Sequence, residues 1–248
     1  MDKTLLITGA SRGIGAATAL LAAQRGYAVA VNYTANSLAA DEVVRQIRQG
    51  GGQAMAVRAD VAVEAEVLEM FARVDAKFGP LGALVNNAGV VDRTTRVEDL
   101  DLARLRRMFE VNVFGSILCA REAVKRMSTR RGGAGGAIVN LSSVAARLGA
   151  PGQYVDYAAA KGAIDAFTVG LAKEVAGEGI RVNAVRPGII DTDIHASGGL
   201  PERARDLAPQ VPMQRPGSAA EVAEAIVWLL GAGASYTTGA VLDVTGGR

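Results

Sequence analysis

The sequence predicts an α/β fold, a doubly wound parallel sheet of about seven strands with helices on both faces. Three observations predict it. Seven short apolar runs, Leu5 to Thr8, Ala28 to Val31, Ala54 to Val57, Ala83 to Val85, Ala137 to Leu141, Arg181 to Val185 and Val241 to Val244, are mostly unalternating, as strands buried on both faces are. Between them lie helical patterns at Ile14 to Arg25, Ser37 to Gln49, Glu64 to Phe78, Leu102 to Arg126, Val155 to Ala176 and Ala219 to Leu230. Several close on a glycine, at Gly26, Gly50, Gly79 and Gly177. The composition, 50% hydrophobic but only 4% aromatic, suits close helix-on-sheet packing. Alternation of strand and helix implies right-handed crossovers and parallel neighbours.

At 248 residues, without a repeat or interdomain linker, the chain reads as one domain. A net charge of +2, from 27 basic and 25 acidic residues spread along the chain, calls for neither nucleic acid nor an anionic membrane. Cys119, the one cysteine, reads as a small core residue, because no second thiol exists for a bridge or a Cys-rich metal site. Met1-Asp2-Lys3 leads directly into a strand, with no signal core and no long apolar span, so the expected setting is cytoplasmic. Two segments look irregular: Arg130 to Gly136, a Gly-rich surface loop, and Ile189 to Pro216, a long insertion with a short helix around Glu202 to Leu207. Long loops at the carboxyl ends of strands commonly cover substrates, so 189–216 is expected to be a lid.

Chemistry concentrates in two stretches. The first strand runs into Thr8-Gly9-Ala10-Ser11-Arg12-Gly13-Ile14-Gly15, where glycines let a backbone approach a pyrophosphate and a helix N-terminus presents free N–H groups. Its spacing, Gly-x-x-x-Gly-x-Gly, differs from the common Gly-x-Gly-x-x-Gly dinucleotide motif. Later, Tyr157 and Lys161 stand four apart on a helix and share a face. A nearby cation lowers an acid's pKa by about 1 to 3 units, enough to help a phenol pass a proton. Tyr-x-x-x-Lys alone is a weak signal.

With these stretches in hand, the chain resembles the classical short-chain dehydrogenases/reductases along essentially its whole length. The resemblance rests on the glycine turn, Asp60-Val61, Asn86-Asn87-Ala88-Gly89, Asn112 within Val111-Asn112-Val113, Ser142-Ser143, Tyr157-x-x-x-Lys161 and Pro187-Gly188, seven matches in order. It implies a Rossmann-type NAD(P)-binding domain over 1–248. It further implies that Gly9, Ser11, Arg12, Gly13, Ile14 and Gly15 cradle the cofactor, with Asp60 and Val61 against the adenine. Asn87, Ala88 and Gly89 would border the cofactor, and Pro187, Gly188, Ile190 and Thr192 would flank the nicotinamide. Tyr157 would be the acid in carbonyl reduction and the base in alcohol oxidation, with Lys161 lowering its pKa and bonding the nicotinamide ribose. Ser143 would donate to the substrate oxygen, and Asn112 would hold a water linking Lys161 to a proton relay. Ser142 competes for the hydroxyl role and is assigned a structural one. Tyr154 is a decoy, with Ala158 four residues on, and is placed at the substrate entrance.

The dinucleotide is argued from charge. An acidic residue about 20 positions after the glycine turn would bind the ribose diol and repel a 2′-phosphate. None is present: the second strand ends Val31-Asn32-Tyr33-Thr34, and Arg12 stands in the turn. NADP(H) is therefore favoured, with Asn32 and Ser11 as supporting contacts, and NAD(H) stays open because no second basic residue follows the second strand.

The leading expectation is an NADP(H)-dependent oxidoreductase acting on a small-molecule ketone or secondary alcohol. A 3-oxoacyl-[acyl-carrier-protein] reductase is the second reading, and a dinucleotide-sensing scaffold without turnover the third. The basic cluster Arg121, Lys125, Arg126, Arg130 and Arg131 would suit an acidic carrier protein, whereas Glu178 stands where carrier-protein reductases commonly place a basic residue. The one histidine, His195, reads as a solvated loop residue, and Trp228 as helix core or subunit interface. The family implies a homotetramer. Ala158, Gly162, Ala166 and Gly170 would serve a close helix contact or the interior, and the tail from Tyr236 to Arg248 a second interface.

Overall fold

Residues 3–193 and 198–248 are described by the computed structural model. His195 lies outside them. Strands β1 (Lys3–Ile7), β2 (Tyr27–Tyr33), β3 (Ala54–Arg58), β4 (Leu81–Asn86), β5 (Gly136–Leu141), β6 (Ile180–Pro187) and β9 (Val241–Val244) form one seven-stranded sheet in the order β3-β2-β1-β4-β5-β6-β9. Every pairing is parallel. The winding reverses between β1 and β4, and the crevice beyond the carboxyl ends at such a switch point is where doubly wound sheets bind ligands.

The strands' apolar runs divide by their period of two. In β1, Leu5 and Ile7 face one layer and Leu6 the other. On the first face lie α1 (Gly13–Gln24), α2 (Ser37–Gln49) and α9 (Ala219–Leu230), contributing Ala19, Ala22, Val43, Ile47, Val222 and Ile226. On the second lie α3 (Glu64–Phe78), α5 (Gly115–Met127) and α7 (Val155–Val175), contributing Met70, Phe71, Cys119, Ala123, Ala172 and Val175. The short α6 (Ala145–Leu148) lies between β5 and α7 in the chain. Cys119 is fully buried, as expected of a small core residue. Arg181 closes α9 by donating to the carbonyls of Leu229, Leu230 and Gly231, where a cation suits the negative helix end.

Most polar side chains buried between the layers are paired, with Asn86 Oδ1 and Asp165 Oδ1 left without a partner among the described residues. Asn86 donates to the Ser116 carbonyl at 3.0 Å and to Asn140 Oδ1 at 2.9 Å, and Asn140 donates to Thr168 Oγ1 at 2.9 Å. This chain fixes α7 to the carboxyl ends of β4 and β5.

Two expectations change in detail. The helix read over 102–126 is α4 (Leu102–Phe109), a π-helical turn (Glu110–Phe114) and α5. The Gly-rich stretch from Arg130 to Gly136 lies at the surface as read, with Arg130, Arg131, Gly132 and Ala134 exposed, while its other glycines pack closely. A Cβ on Gly133 would sit 2.4 Å from the Arg126 carbonyl oxygen, and one on Gly135 would sit 2.5 Å from that of Gly179, so the chain there presses against its neighbours. Within 189–216, β7 (Ile190–Asp191) pairs with β8 (Gly217–Ser218), and α8 (Arg203–Leu207) supplies Ala204 and Leu207 to a small cluster with Ile189 and Val211.

The basic cluster is largely neutralised from within. Arg121 pairs with Glu64 and Glu122, Lys125 with Glu122, Arg126 with Asp75 and Glu122, and Arg130 with Glu178. A deeper ion pair joins α4 to α7: Arg104 grips Asp156 with Nε at 2.8 Å and Nη2 at 3.1 Å, and Asp156 is almost fully buried. Removing one member strands the other charge. We expect Arg104→Ala to lower unfolding free energy by about 3 kcal/mol in urea titrations, and a loss under about 0.5 kcal/mol would contradict this account of the pair.

Candidate active site

Thr8, directly after β1, fastens the first strand to the fourth. Its Oγ1 accepts from the amides of Asn87 and Ala88, both at 3.0 Å, while Asn87 Nδ2 donates to the carbonyls of Thr8 and Gly9, both at 2.8 Å. Side chains have no room in this knot. Gly9, at φ +60°, would set a Cβ 2.9 Å from Ala88 Cα, and a Cβ on Gly15 would meet Asn87 Nδ2 at 2.6 Å. Helix α1 then starts at Gly13, without a side-chain cap from Arg12 and without an acidic residue in its first turn. Its free N–H groups and positive dipole end match the phosphates of a dinucleotide. Thr192 lies opposite, 3.6 Å from where a Gly13 Cβ would be, so the segment after β6 faces the glycine turn.

Asn32 departs from expectation. It is 1% exposed, accepts from Gly9 N–H at 3.0 Å and donates to the carbonyls of Val57 and Ala59. With its amide spent on joining three strand ends, it shapes the turn and is not a polar contact presented outward. Asp60 and Val61 follow β3: Asp60 accepts from Ala62 N–H at 2.9 Å, and Val61 packs where a Gly115 Cβ would intrude. Arg12 is exposed and Ser11 half-buried, both on the same rim.

The second group gathers on α7. Tyr157 and Lys161 are 9% and 4% exposed, although one is a titratable phenol and the other an ammonium. Ser143, just past β5, accepts from Ala145 N–H at 3.1 Å and lines the same cavity as Tyr157. Burial pushes the Tyr157 phenol up to about 12, with the nearby Ser143 hydroxyl pulling the other way. Burial pulls Lys161 down to about 8, partly countered by Asp165. The expected lowering of Tyr157 by Lys161 does not show among the causes of its shift: Lys161 Nζ donates to the Leu141 carbonyl at 2.7 Å and stands 5.7 Å from the phenol ring centre. Ser142 faces inward and donates to the Lys161 carbonyl at 3.3 Å, in keeping with a structural role.

Asn112 lies at 0% exposure in the π-helical turn, where such turns often serve function. Its Nδ2 donates to the carbonyls of Val90 and Met108, and its Oδ1 accepts from Val90 N–H. Gly89 passes between it and the lysine: a Cβ there would fall 2.8 Å from Asn112 Oδ1 and 3.5 Å from Lys161 Nζ.

A cavity of about 460 Å³ brings Ile14, Asn87, Gly89, Ser143, Tyr157, Lys161, Pro187, Gly188, Ile190 and Thr192 together. Tyr154 lines it too, edge-on to Tyr157 with ring centres 6.0 Å apart. Gly9, Ser11, Arg12, Gly13, Gly15, Asn32, Ala88, Asp60 and Val61 lie off this cavity, and Asn112 stands behind Gly89, which lines it. Sequence reasoning missed the Leu141 carbonyl, which carries no side-chain signal, and two cations on the wall, Arg203 and Arg248.

Comparison with known proteins agrees with this geometry. Residues 9–248 match the family model described as enoyl-(acyl carrier protein) reductase. The Escherichia coli (strain K12) protein named "Uncharacterized oxidoreductase YgfF" is 58% identical over 98% of each chain. Cis-4-hydroxycyclohexanecarboxylate dehydrogenase of Sinomonas cyclohexanicum is 42% identical over 99% of this chain and 96% of its own. A Synechocystis (strain ATCC 27184 / PCC 6803 / Kazusa) 3-oxoacyl-[acyl-carrier-protein] reductase is 41% identical over 99% and 96%. A Serratia marcescens short-chain dehydrogenase/reductase, solved as a double phenylalanine-to-leucine mutant, superposes with a TM-score of 0.91 at 34% identity, covering 99% of this chain and 97% of that one. The chain belongs to the short-chain dehydrogenase/reductase family, as an NAD(P)-dependent oxidoreductase acting on CH–OH groups.

Proposed function

We propose that this enzyme interconverts a ketone and a secondary alcohol with NADP(H), using Tyr157 as the proton-transfer group. The observation that carries this is the trio on one cavity wall: a buried phenol, the half-buried Ser143 hydroxyl, and a buried lysine one helical turn from the phenol. The glycine turn and the first turn of α1 would hold the pyrophosphate, Asp60 and Val61 the adenine side, and Pro187, Gly188, Ile190 and Thr192 the nicotinamide side. When bound, the nicotinamide supplies or accepts the hydride. Ser143 donates to the substrate oxygen as negative charge develops there, and Tyr157 delivers the proton. Lys161 steadies that proton from one turn away, and Asn112, across the gap beside Gly89, connects it to a relay. The whole chain acts as one NAD(P)-binding domain, with 189–216 as its lid.

For NADP(H), support comes from Arg12 exposed at the start of α1 and from a second strand ending without a carboxylate. A carrier-protein substrate is supported by the Synechocystis relative's name. Against it, four of the five cations in the basic cluster already hold carboxylates. A cytoplasmic setting fits a fully buried thiol; no described helix is long and apolar enough to cross a membrane. A homotetramer fits the outer face of α7, where Ala166, Val169 and Gly170 are exposed and a Cβ on Gly162 or Gly170 would meet nothing. Ala158, in contrast, is buried. Exposed Trp228 and Tyr236 fit a second contact. Light scattering after size exclusion should give four chains; a stable monomer would refute this assembly.

With NADPH and a ketone panel, Tyr157→Phe should cut kcat by roughly 10²- to 10⁴-fold while cofactor binding persists. Unchanged turnover would remove Tyr157 from the mechanism. Because burial holds the phenol protonated, alcohol oxidation should speed up as pH rises from about 6 to 9, whereas ketone reduction should not; identical profiles would count against the phenol as the proton carrier. Arg12→Ala should weaken NADPH by about tenfold with little change for NADH, and equal losses for both would contradict a 2′-phosphate contact.

A further inference from the structure

We propose that Arg203 and Arg248 form an oxyanion subsite in the outer part of the catalytic cavity, so that the substrate is a ketone or secondary alcohol carrying a carboxylate. This rests on the carbonyl-reductase reading above. Among the described residues lining the cavity there is no aspartate or glutamate, and the charged ones are Lys161, Arg203 and Arg248. Lys161 is turned inward to the Leu141 carbonyl. The two arginines are half-buried on the wall.

Neither is balanced by an acidic side chain among the described residues. Arg104, Arg126, Arg186 and Arg215 each hold one, whereas the Arg203 guanidinium bonds an amide oxygen. Arg203 lies over the Tyr154 ring, its Cζ 5.1 Å from the ring centre, and donates to Gln153 Oε1. Stacking on an aromatic face leaves the other N–H groups of the guanidinium plane directed sideways, the arrangement that takes a carboxylate through two bonds. Arg248 lines the same cavity as Arg203 and Tyr154, and the charges of both arginines oppose the rise that burial gives the Tyr154 phenol. A concave wall whose charged side chains are all cationic draws anions toward it.

Tyr154 gives the spacing. It stands 6.0 Å from the Tyr157 ring and 5.1 Å from the Arg203 guanidinium. Those two distances bound the gap between the phenol ring and the guanidinium, a gap that suits one six-membered ring or a short carbon chain carrying the carboxylate. The apolar residues Val91, Val144, Leu148 and Ile189 line the same cavity and suit that hydrocarbon part.

The test compares NADPH-dependent reduction of 4-oxocyclohexanecarboxylate, its neutral methyl ester and acetoacetyl-CoA, whose oxyanions are phosphates. Wild-type kcat/KM should favour the acid over the ester by at least tenfold. That ratio should fall at least fivefold in Arg203→Gln and approach one in the Arg203→Gln/Arg248→Gln double variant, while Arg25→Gln, at an exposed pair with Glu224, keeps the wild-type ratio. An acid no better than its ester overturns the subsite while leaving the reductase reading intact. A loss confined to acetoacetyl-CoA in the arginine variants overturns the carboxylate in favour of a phosphate. If none of the three turns over, calorimetric titration of the acid into the NADPH-loaded protein decides: binding that the double variant loses upholds the subsite and sinks the reductase reading, and absence of binding sinks the subsite.

Discussion

The rest of the site depends on burying a phenol and an ammonium one helical turn apart. Water would stabilise the charged form of either, and its removal drives both toward neutrality, raising Tyr157 to about 12 and lowering Lys161 to about 8. Such a pair is tolerated only where other groups take up its hydrogen bonds. The sheet supplies them. The Leu141 carbonyl, at the carboxyl end of β5, accepts from the ammonium, and Ser143, just beyond it, lies on the same cavity wall as the phenol, so the site is anchored to the central sheet. Burial thus keeps the proton on Tyr157 at neutral pH, as the proposed acid role requires.

The same economy of space governs the cofactor side. Two strands meet at Thr8 and Asn87 through backbone amides, and the glycines at 9 and 15 exist there because a methyl group would fall under 3 Å from its neighbours. Asn32 closes the third side by joining β1, β2 and β3. What results is a rim of backbone donors at the switch point of the sheet, adjoining the cavity that holds Tyr157. Asp156, next to the tyrosine, is tied by Arg104 to α4, so the helix start is held from outside as well.

Much of this was legible in the sequence because backbone constraints leave residue-level marks. Parallel strands buried on both faces must be apolar runs, close backbone approach must be glycine, and a shared helix face must be four residues apart. The seven strands, the glycine turn and the Tyr157–Lys161 helix face followed from those rules. What escaped depended on tertiary contact. Nothing in the sequence marked the π-helical turn around Asn112, since a continuous helical pattern runs through it. Asn32 looked like an outward polar contact because its residue type fits that role equally well; only the convergence of three strand ends spends its amide. Arg203 and Arg248 are far apart in the chain, one in the insertion and the other at residue 248, and only folding sets both on one cavity wall.

The central claim is that Tyr157 and Ser143 meet the reacting oxygen together. A crystal structure of the enzyme with NADP⁺ and a bound ketone tests it most directly. The carbonyl oxygen should then lie within about 3 Å of both the Tyr157 hydroxyl and the Ser143 hydroxyl. A ketone bound in the cavity with its oxygen touching neither would contradict the claim.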